Sequence, residues 1–263
     1  MPELPDVEVF GRYIDSTSLH QKIESVEVKN EKILGDVSAR KLQSTLKGRT
    51  FESTRRHGKN LFVALDGGGW LLMHFGMTGD LEYFEDLDLD PPHDRFLISF
   101  DNGYHLAFED QRMFGKVDLV EDPEYFVREK KLGPDLLELD PASFRERFEG
   151  RKGSVKAALM NQQLVAGVGN IYSDEILFQA RLHPETRIER LDNAALEKLF
   201  QETRRVLKTA IERGADPQEL PDHFLLSHRR EGERCPRGNG EIRKIKAAGR
   251  TAYYCPACQP KAR

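Results

Sequence analysis

Near Gly133 the apolar pattern of this 263-residue chain changes its period. Upstream of that point, short runs rich in β-branched, aromatic and aliphatic residues (IESVEV, RTFEST, NLFVALD, GWLLMHF, RFLISF, YHLAF) are separated by turn signals such as DGGG and DNG. Runs of that length predict a β-sandwich. The exception is the opening stretch from about Asp6 to Ser16, where Val7, Phe10 and Ile14 share one face and predict a helix that fixes the start of the chain. Downstream, segments 142–149, 155–161, 171–179 and 194–213 carry helical spacing. The tail adds a strand pattern EIRKIK, a turn AAG and a second strand RTAYY. A two-stranded ribbon of that size leans on a metal or a neighbouring domain. The expected class is α+β, with a β-sandwich over 1–131, a helical part over 132–224 and a C-terminal ribbon over 225–263.

The three cysteines, Cys235, Cys255 and Cys258, all fall in the last thirty residues. They make a poor disulfide framework and suggest a small metal site or its remnant, in a reducing compartment. No run approaches the roughly 18 apolar residues of a membrane span, and MPELPDVEVF lacks the basic and apolar parts of a signal peptide. The expected location is cytoplasmic. A net charge of −4 argues on average against nucleic acid, but the charge is segregated. Residues 227–263 hold ten Lys/Arg against three Asp/Glu, whereas 85–94 (EDLDLDPPHD) is an acidic loop. One face can hold a polyanion while another stays acidic.

Pro2 directs attention to covalent chemistry. Once Met1 is removed it carries a secondary α-amine, and α-amines titrate at about 7.7 to 8, so a useful fraction is neutral and nucleophilic near pH 7. Attack on a sugar C1′ expels the base and leaves an iminium ion, which acidifies the C2′ protons and permits β-elimination of the 3′ phosphate. Glu3 is the neighbouring acid/base candidate. By itself, a proline that opens a chain is ordinary.

The start PELPDVE, followed in order by RRHGKNL, HFGMTG, DQRMFG, KAALMNQQLVAGVGNIYSDEIL and a C-x2-G…C-x2-C tail, resembles the formamidopyrimidine-DNA glycosylase and endonuclease VIII superfamily over nearly the whole chain. The resemblance implies a β-sandwich, a helix-two-turn-helix domain and a zinc finger, with damaged double-stranded DNA as the partner and one chain per lesion. It implies Pro2 as nucleophile, Glu3 as acid/base, Lys59 beside the amine and the phosphates, and Arg250 as the finger arginine near the lesion. It implies that Met77, Arg112 and Phe114 fill the gap left by a flipped nucleotide. Met adapts to an irregular hole, Phe wedges between bases and Arg can bond the orphaned base. Lys156 and Asn170 match phosphate ligands, and Asn170 is also placed to cap the helix after AGVGN, whose free N–H groups form a phosphate site.

Four departures stand out. Gly238 occupies the second cysteine position of the finger, so a zinc ion held by Cys235, Cys255 and Cys258 needs a water or a residue such as His228 to complete it; otherwise the ribbon is metal-free. Met113 stands where the family has a second basic residue, and Asp6 where it has Glu. The link GADPQELPDHFLLSHRREGERC is shorter than the family loop that caps a flipped 8-oxoguanine. Arg112 and Phe114 favour oxidised purines; the short link favours oxidised pyrimidines. The purine reading is preferred. Outside that class stands a non-catalytic nucleic-acid binder, since helix-two-turn-helix modules also occur in ribosomal RNA-binding proteins; it needs Lys156, Asn170 and the basic ribbon but not Pro2, Glu3 and the Met/Arg/Phe set. A degenerate glycosylase that only senses lesions is the remaining alternative.

Overall fold

The computed structural model describes residues 1–238 and 240–261, so the ribbon expected over 225–263 is followed to Lys261, and Asn239 and the last two residues lie outside the described residues. The chain divides into two compact units, one of residues 1–2 and 6–130, the other of 3–5 and 131–263.

The first unit carries the sandwich and, from Asp6 onward, α1 (Leu4–Thr17), a helix that starts two residues earlier than its apolar stripe predicts. One antiparallel sheet orders β1 (Ile23–Val28), β6 (Asp94–Phe100), β7 (His105–Asp110) and β5 (Gly79–Phe84). The other orders β2 (Phe51–His57), β3 (Asn60–Leu65), β4 (Trp70–His74) and β8 (Lys116–Val120). Inward side chains such as Phe51, Leu61, Val63, Phe75, Phe96, Ile98 and Phe108 form the core between them. β3 is buried on both faces because Phe62 turns outward onto Phe126, ring centres 5.6 Å apart, on α3 (Pro123–Glu129). That is why NLFVAL reads as a continuous apolar run rather than an alternating one. β5 and β8 escape the sequence reading because Asp80, Glu82 and Asp118 interrupt them. The helix α2 (Ala39–Leu46), capped by Ser38 and burying Leu42 and Leu46, escapes it because two apolar positions in eight residues are a weak signal.

The second unit is built round α6 (Asn170–Ala180), in which every residue from Tyr172 to Ala180 is buried. α5 (Val155–Met160) and α7 (Asn193–Glu212) pack against it and α4 (Pro141–Phe148) packs against α7, each started by a side-chain cap, Ser154, Asp192 and Asp140. A helix buried all round must satisfy its own polar groups. Asp174 accepts from Lys156 Nζ at 2.6 Å, from Arg229 Nη2 at 2.8 Å and from the Tyr253 N–H at 3.1 Å. Gln179 Oε1 accepts from Arg205 and Arg237. β9 (Arg243–Ala247) and β10 (Arg250–Tyr254) pair through the two-residue turn Ala248-Gly249, both in the left-handed region at φ 51° and 72°. The ribbon has its own small core of Phe178, Leu225, Cys235, Ile242, Cys255 and Cys258. Among the described residues no helix is long and apolar enough to cross a membrane.

Glu175, also on α6, accepts from Gln179 Nε2 at 2.7 Å and from the Leu226 N–H at 2.8 Å. Burial pushes its pKa up to about 7, against the opposing pull of those hydrogen bonds. A carboxyl whose pKa is raised on folding binds more protons in the native state, so its contribution to stability is present below the unfolded value and falls as the pH rises toward 7. Denaturant melts at stepped pH are expected to show that decline between about pH 4.5 and 7, and Glu175→Gln to flatten it. An unchanged slope in Glu175→Gln would assign the decline to another group.

Candidate active site

Two constellations emerge, one in each unit. In the second, Glu3 is fully buried and its carboxylate receives the start of α6. Oε1 accepts from the Ile171 N–H at 2.8 Å, and Oε2 from Gly169 at 2.5 Å and Tyr172 at 3.3 Å. The Leu4 N–H donates to Gly167 O at 3.0 Å. Gly167 sits at φ +120°, and a Cβ there would lie 2.4 Å from Leu4 Cδ1, so only glycine lets the chain start lie on this loop. Gln162 shapes the loop from inside: its Nε2 donates to Met160 O and Val168 O, and its Oε1 accepts from the Gly167 N–H. Pro2, half-buried behind Met1, is covalently joined to a residue that cannot move without uncapping a buried helix.

Two expectations are corrected here. Asn170 does not cap α6: the cap residue is Gly169, with no side-chain bond, and Asn170 is the first helical residue. The N–H groups expected to await a phosphate are instead taken by Glu3, a partner 166 positions or more away in sequence. The second correction is Lys156. Its side chain is 0% exposed and its amine is committed to Asp174 at 2.6 Å, Ser173 Oγ at 2.7 Å and Asn170 O at 3.2 Å. Burial lowers its pKa, the neighbouring Asp174 opposing that shift. A lysine so enclosed has no surface to offer a phosphate; it holds Asn170 and the first turn of α6. Asn170 itself is half-buried, with Nδ2 donating to Thr251 O at 3.0 Å and Oδ1 without a hydrogen-bond partner. That bond ties it to β10 beside Arg250, which is exposed at the ribbon turn.

The first unit holds the other expected residues. Lys59 lies in the tight turn between β2 and β3, half-buried; burial, then the Lys59 charge, lowers the pKa of His74. Asp6 stands in the first turn of α1. Glu8, on the same helix, accepts from Arg56 Nε at 2.9 Å and ties α1 to β2. Met77 occupies the turn between β4 and β5, and Arg112 and Phe114 the loop between β7 and β8. The two loops touch through backbone: a Cβ on Gly76 would lie 2.4 Å from the Phe114 carbonyl carbon. Phe114 is 55% exposed, an unusual position for a large apolar ring, and the Arg112 guanidinium sits 5.2 Å from its centre. The structure therefore brings Met77, Arg112 and Phe114 together, and separately Glu3, Lys156 and Asn170. Reading from sequence missed Gln162, Asp174 and Asp110, whose partners are set by folding; the one available signal was their place inside or beside the motif blocks.

The ligand atoms of Cys235, Cys255 and Cys258 lie within 4.8 Å of one another, and all three residues are buried. Cys235 Sγ and Cys258 Sγ are 3.7 Å apart, matching the edge of about 3.8 Å that a tetrahedron with Zn–S bonds near 2.3 Å requires. Burial pushes the Cys235 thiol up to about 11, a shift a bound cation would offset. Three thiolates thus fit a metal ion. Among the described residues no fourth His, Cys, Asp or Glu, His228 included, joins the three cysteines, and a side chain at Gly238 would meet open space.

Residues 1–117 match the formamidopyrimidine-DNA glycosylase N-terminal domain, and residues 132–221 the H2TH domain of the same proteins. The formamidopyrimidine-DNA glycosylase of Solibacter usitatus is 34% identical over 99% of this chain and 100% of its own length. The wild-type Fpg (MutM) of Lactococcus lactis, solved with DNA containing N7-benzyl-Fapy-dG, superposes with a TM-score of 0.89 at 31% identity, over 99% of this chain and 100% of that one. The same protein with abasic-site DNA gives 0.87 at 31% identity, over 98% and 100%. The order of the motifs, the two-sheet sandwich, the buried central helix and these full-length matches lead to one conclusion: the chain belongs to the formamidopyrimidine-DNA glycosylase family.

Proposed function

We propose that this chain is a DNA glycosylase with AP lyase activity that excises oxidised purines of the formamidopyrimidine and 8-oxoguanine type from duplex DNA, acting as a monomer in the cytoplasm on the nucleoid. The observation that carries the reading is the anchored start of the chain: residue 3 is pinned by three backbone N–H groups, of the cap residue Gly169 and of Ile171 and Tyr172 in α6, which gives the amine of residue 2 a defined position. Preorganisation of this kind is what a covalent catalyst needs. The proposed division of labour follows the modules 1–131, 132–224 and 225–263.

In the proposed reaction the neutral Pro2 amine adds to C1′, the N-glycosidic bond breaks with protonation of the leaving base, and an iminium ion links Pro2 to the opened sugar. Loss of a C2′ proton expels the 3′ phosphate; a second elimination expels the 5′ phosphate. Glu3, next in the chain, moves the protons as well as holding α6. Lys59 supplies positive charge for the phosphates and Arg250 reaches them from the ribbon turn. Asn170 offers its remaining amide N–H to the backbone, oriented by Lys156. Met77, Arg112 and Phe114 fill the gap and meet the widowed base. Oxidised pyrimidines form the second reading, favoured by the link after α7: it buries Leu220, Phe224 and Leu225 instead of presenting a long free loop.

We further propose that Cys235, Cys255 and Cys258 hold one zinc ion with a water in the fourth position. The ion ties the ends of the ribbon together. It is not the ribbon's only anchor, because Arg237 donates to Phe178 O at 3.1 Å and Gln179 Oε1 at 2.8 Å, and Gln259 Nε2 donates to Leu182 O at 2.8 Å.

On duplexes carrying formamidopyrimidine, 8-oxoguanine or an oxidised pyrimidine, the purine lesions are expected to be released fastest, and Glu3→Gln to slow release by about 100-fold or more. Release confined to the pyrimidine would install the second reading; binding without release from any duplex would install a lesion sensor. Metal analysis is expected to find about one zinc per chain, lost in Cys255→Ala. Chelation is expected to leave the ribbon folded by amide hydrogen exchange, and zinc-free protein with three freely titrating thiols would overturn the metal assignment.

A further inference from the structure

Asp110 ends β7 and is fully buried, yet the chemistry proposed above gives it no role. Its carboxylate is surrounded by donors from both loops that carry the gap-filling side chains. Oδ1 accepts from Thr78 Oγ1 at 2.5 Å and from the Arg112 N–H at 3.2 Å, and Oδ2 accepts from the Gly115 N–H at 2.7 Å. Thr78 Oγ1, having donated to Asp110, accepts from the Arg112 N–H at 3.0 Å. Thr78 follows Met77 directly; Arg112 and Gly115 bracket Phe114. One carboxylate and one hydroxyl therefore join the two loops.

The surroundings are built for this contact. A Cβ on Gly115 would lie 2.9 Å from Asp110 Oδ2, so glycine is what admits the carboxylate. Met113 at the crest of the loop is a non-glycine residue at φ 55°, a conformation that costs energy and persists only where neighbours over-determine it. The bonds on either side of it, at Arg112 and Gly115, do so. On the far side of the Met77 turn the Gly76 N–H donates to His74 Nδ1 at 3.2 Å and the Gly79 N–H to Phe75 O at 2.8 Å. The exposed ring of Phe114 has little packing of its own to hold it. Its direction is inherited from this backbone.

We infer that Asp110 and Thr78 form a positioning pair that locks the Met77 turn and the Arg112–Phe114 loop into a single wedge, so that the three side chains enter a nucleotide gap together. The inference rests on the proposed gap-filling role of those three residues. Asn replaces Asp110 poorly: its NH2 opposes the Gly115 N–H in one orientation, and in the other it opposes the Arg112 N–H and forces the Thr78 hydroxyl from donor to acceptor. Val at position 78 keeps the shape of Thr and loses both bonds, whereas Ser keeps both.

The test uses a duplex with a tetrahydrofuran gap and 2-aminopurine opposite it, whose fluorescence reports the stacking disturbed by insertion and requires no cleavage. At saturating protein, the full chain is expected to change the fluorescence, Phe114→Ala to lose the change, Thr78→Val and Asp110→Asn to lose more than about half of it, and Thr78→Ser to retain it. Excision from a lesion duplex should fall on the order of tenfold or more in Thr78→Val. Cleavage of a single-stranded abasic oligonucleotide, which has no gap to fill, should stay within about twofold. A full fluorescence change in Thr78→Val, or equal loss of single-strand and duplex cleavage, would overturn the positioning role; thermal melts separate a variant that fails to fold. Retention of the change by Phe114→Ala would overturn the gap-filling role and this inference with it. A chain that inserts but cleaves nothing would sink the enzyme reading and leave the pair standing.

Discussion

The carboxylate of Glu3 against the first turn of α6 is the interaction on which the rest of the second unit depends. A buried helix start leaves N–H groups that water cannot reach, and each unsatisfied group costs on the order of 1–3 kcal/mol. Glu3 satisfies three of them from the opposite end of the sequence. The same bonds fix the third residue of the chain, so helix capping and placement of the chain's start are one event. Gly167 makes the approach possible and Gln162 holds the loop that carries it. Lys156 and Arg229 then share Asp174 as their anionic partner inside the unit, with Asp174 also holding β10 through the Tyr253 N–H. The path from the chain start to the ribbon is a continuous set of hydrogen bonds along one helix.

Much of this was legible in the sequence, and the exceptions share a cause. The bounds of α6 and α7 agree with the helical spacing to within one residue, because long periodic segments bury a face wherever they pack. β5 and β8 and the short helices α2 and α3 were not legible, since acidic residues or brevity hide their apolar positions. At the candidate site, residue type and order were informative and partnership was not. Asn170 looks like a cap because local rules seek a cap next door, whereas the cap comes from Glu3. Lys156 matches a phosphate ligand of the family by its place in the motif; its partner Asp174, 18 positions on, is visible only after folding. Phe114, by contrast, stands out in its motif as an aromatic residue in a loop, and the structure leaves its ring 55% exposed.

The ribbon has supports besides any metal that its three cysteines could hold. Its three cysteines are buried with Phe178, Leu225 and Ile242, so they contribute apolar packing whatever they ligate. Arg237 lies over the Phe178 ring, 4.4 Å from its centre, beside the position where the fourth cysteine is absent. Cation–π contact, the bonds to α6 and the small core together provide the support that a two-stranded ribbon lacks alone. The ribbon also gathers exposed positive charge, Arg243, Lys244, Lys246 and Arg250, in a chain whose net charge is −4.

In the proposed reaction a helix-anchored Glu3 presents the Pro2 amine for covalent catalysis. Its most direct test is borohydride reduction of the Met1-processed protein on an abasic-site duplex, followed by proteolysis and mass spectrometry of the adduct. The reduced sugar remnant is expected to map to the nitrogen of Pro2 and to disappear when Met1 is retained. An adduct mapped to a lysine, or undiminished trapping by chain that keeps Met1, would contradict it.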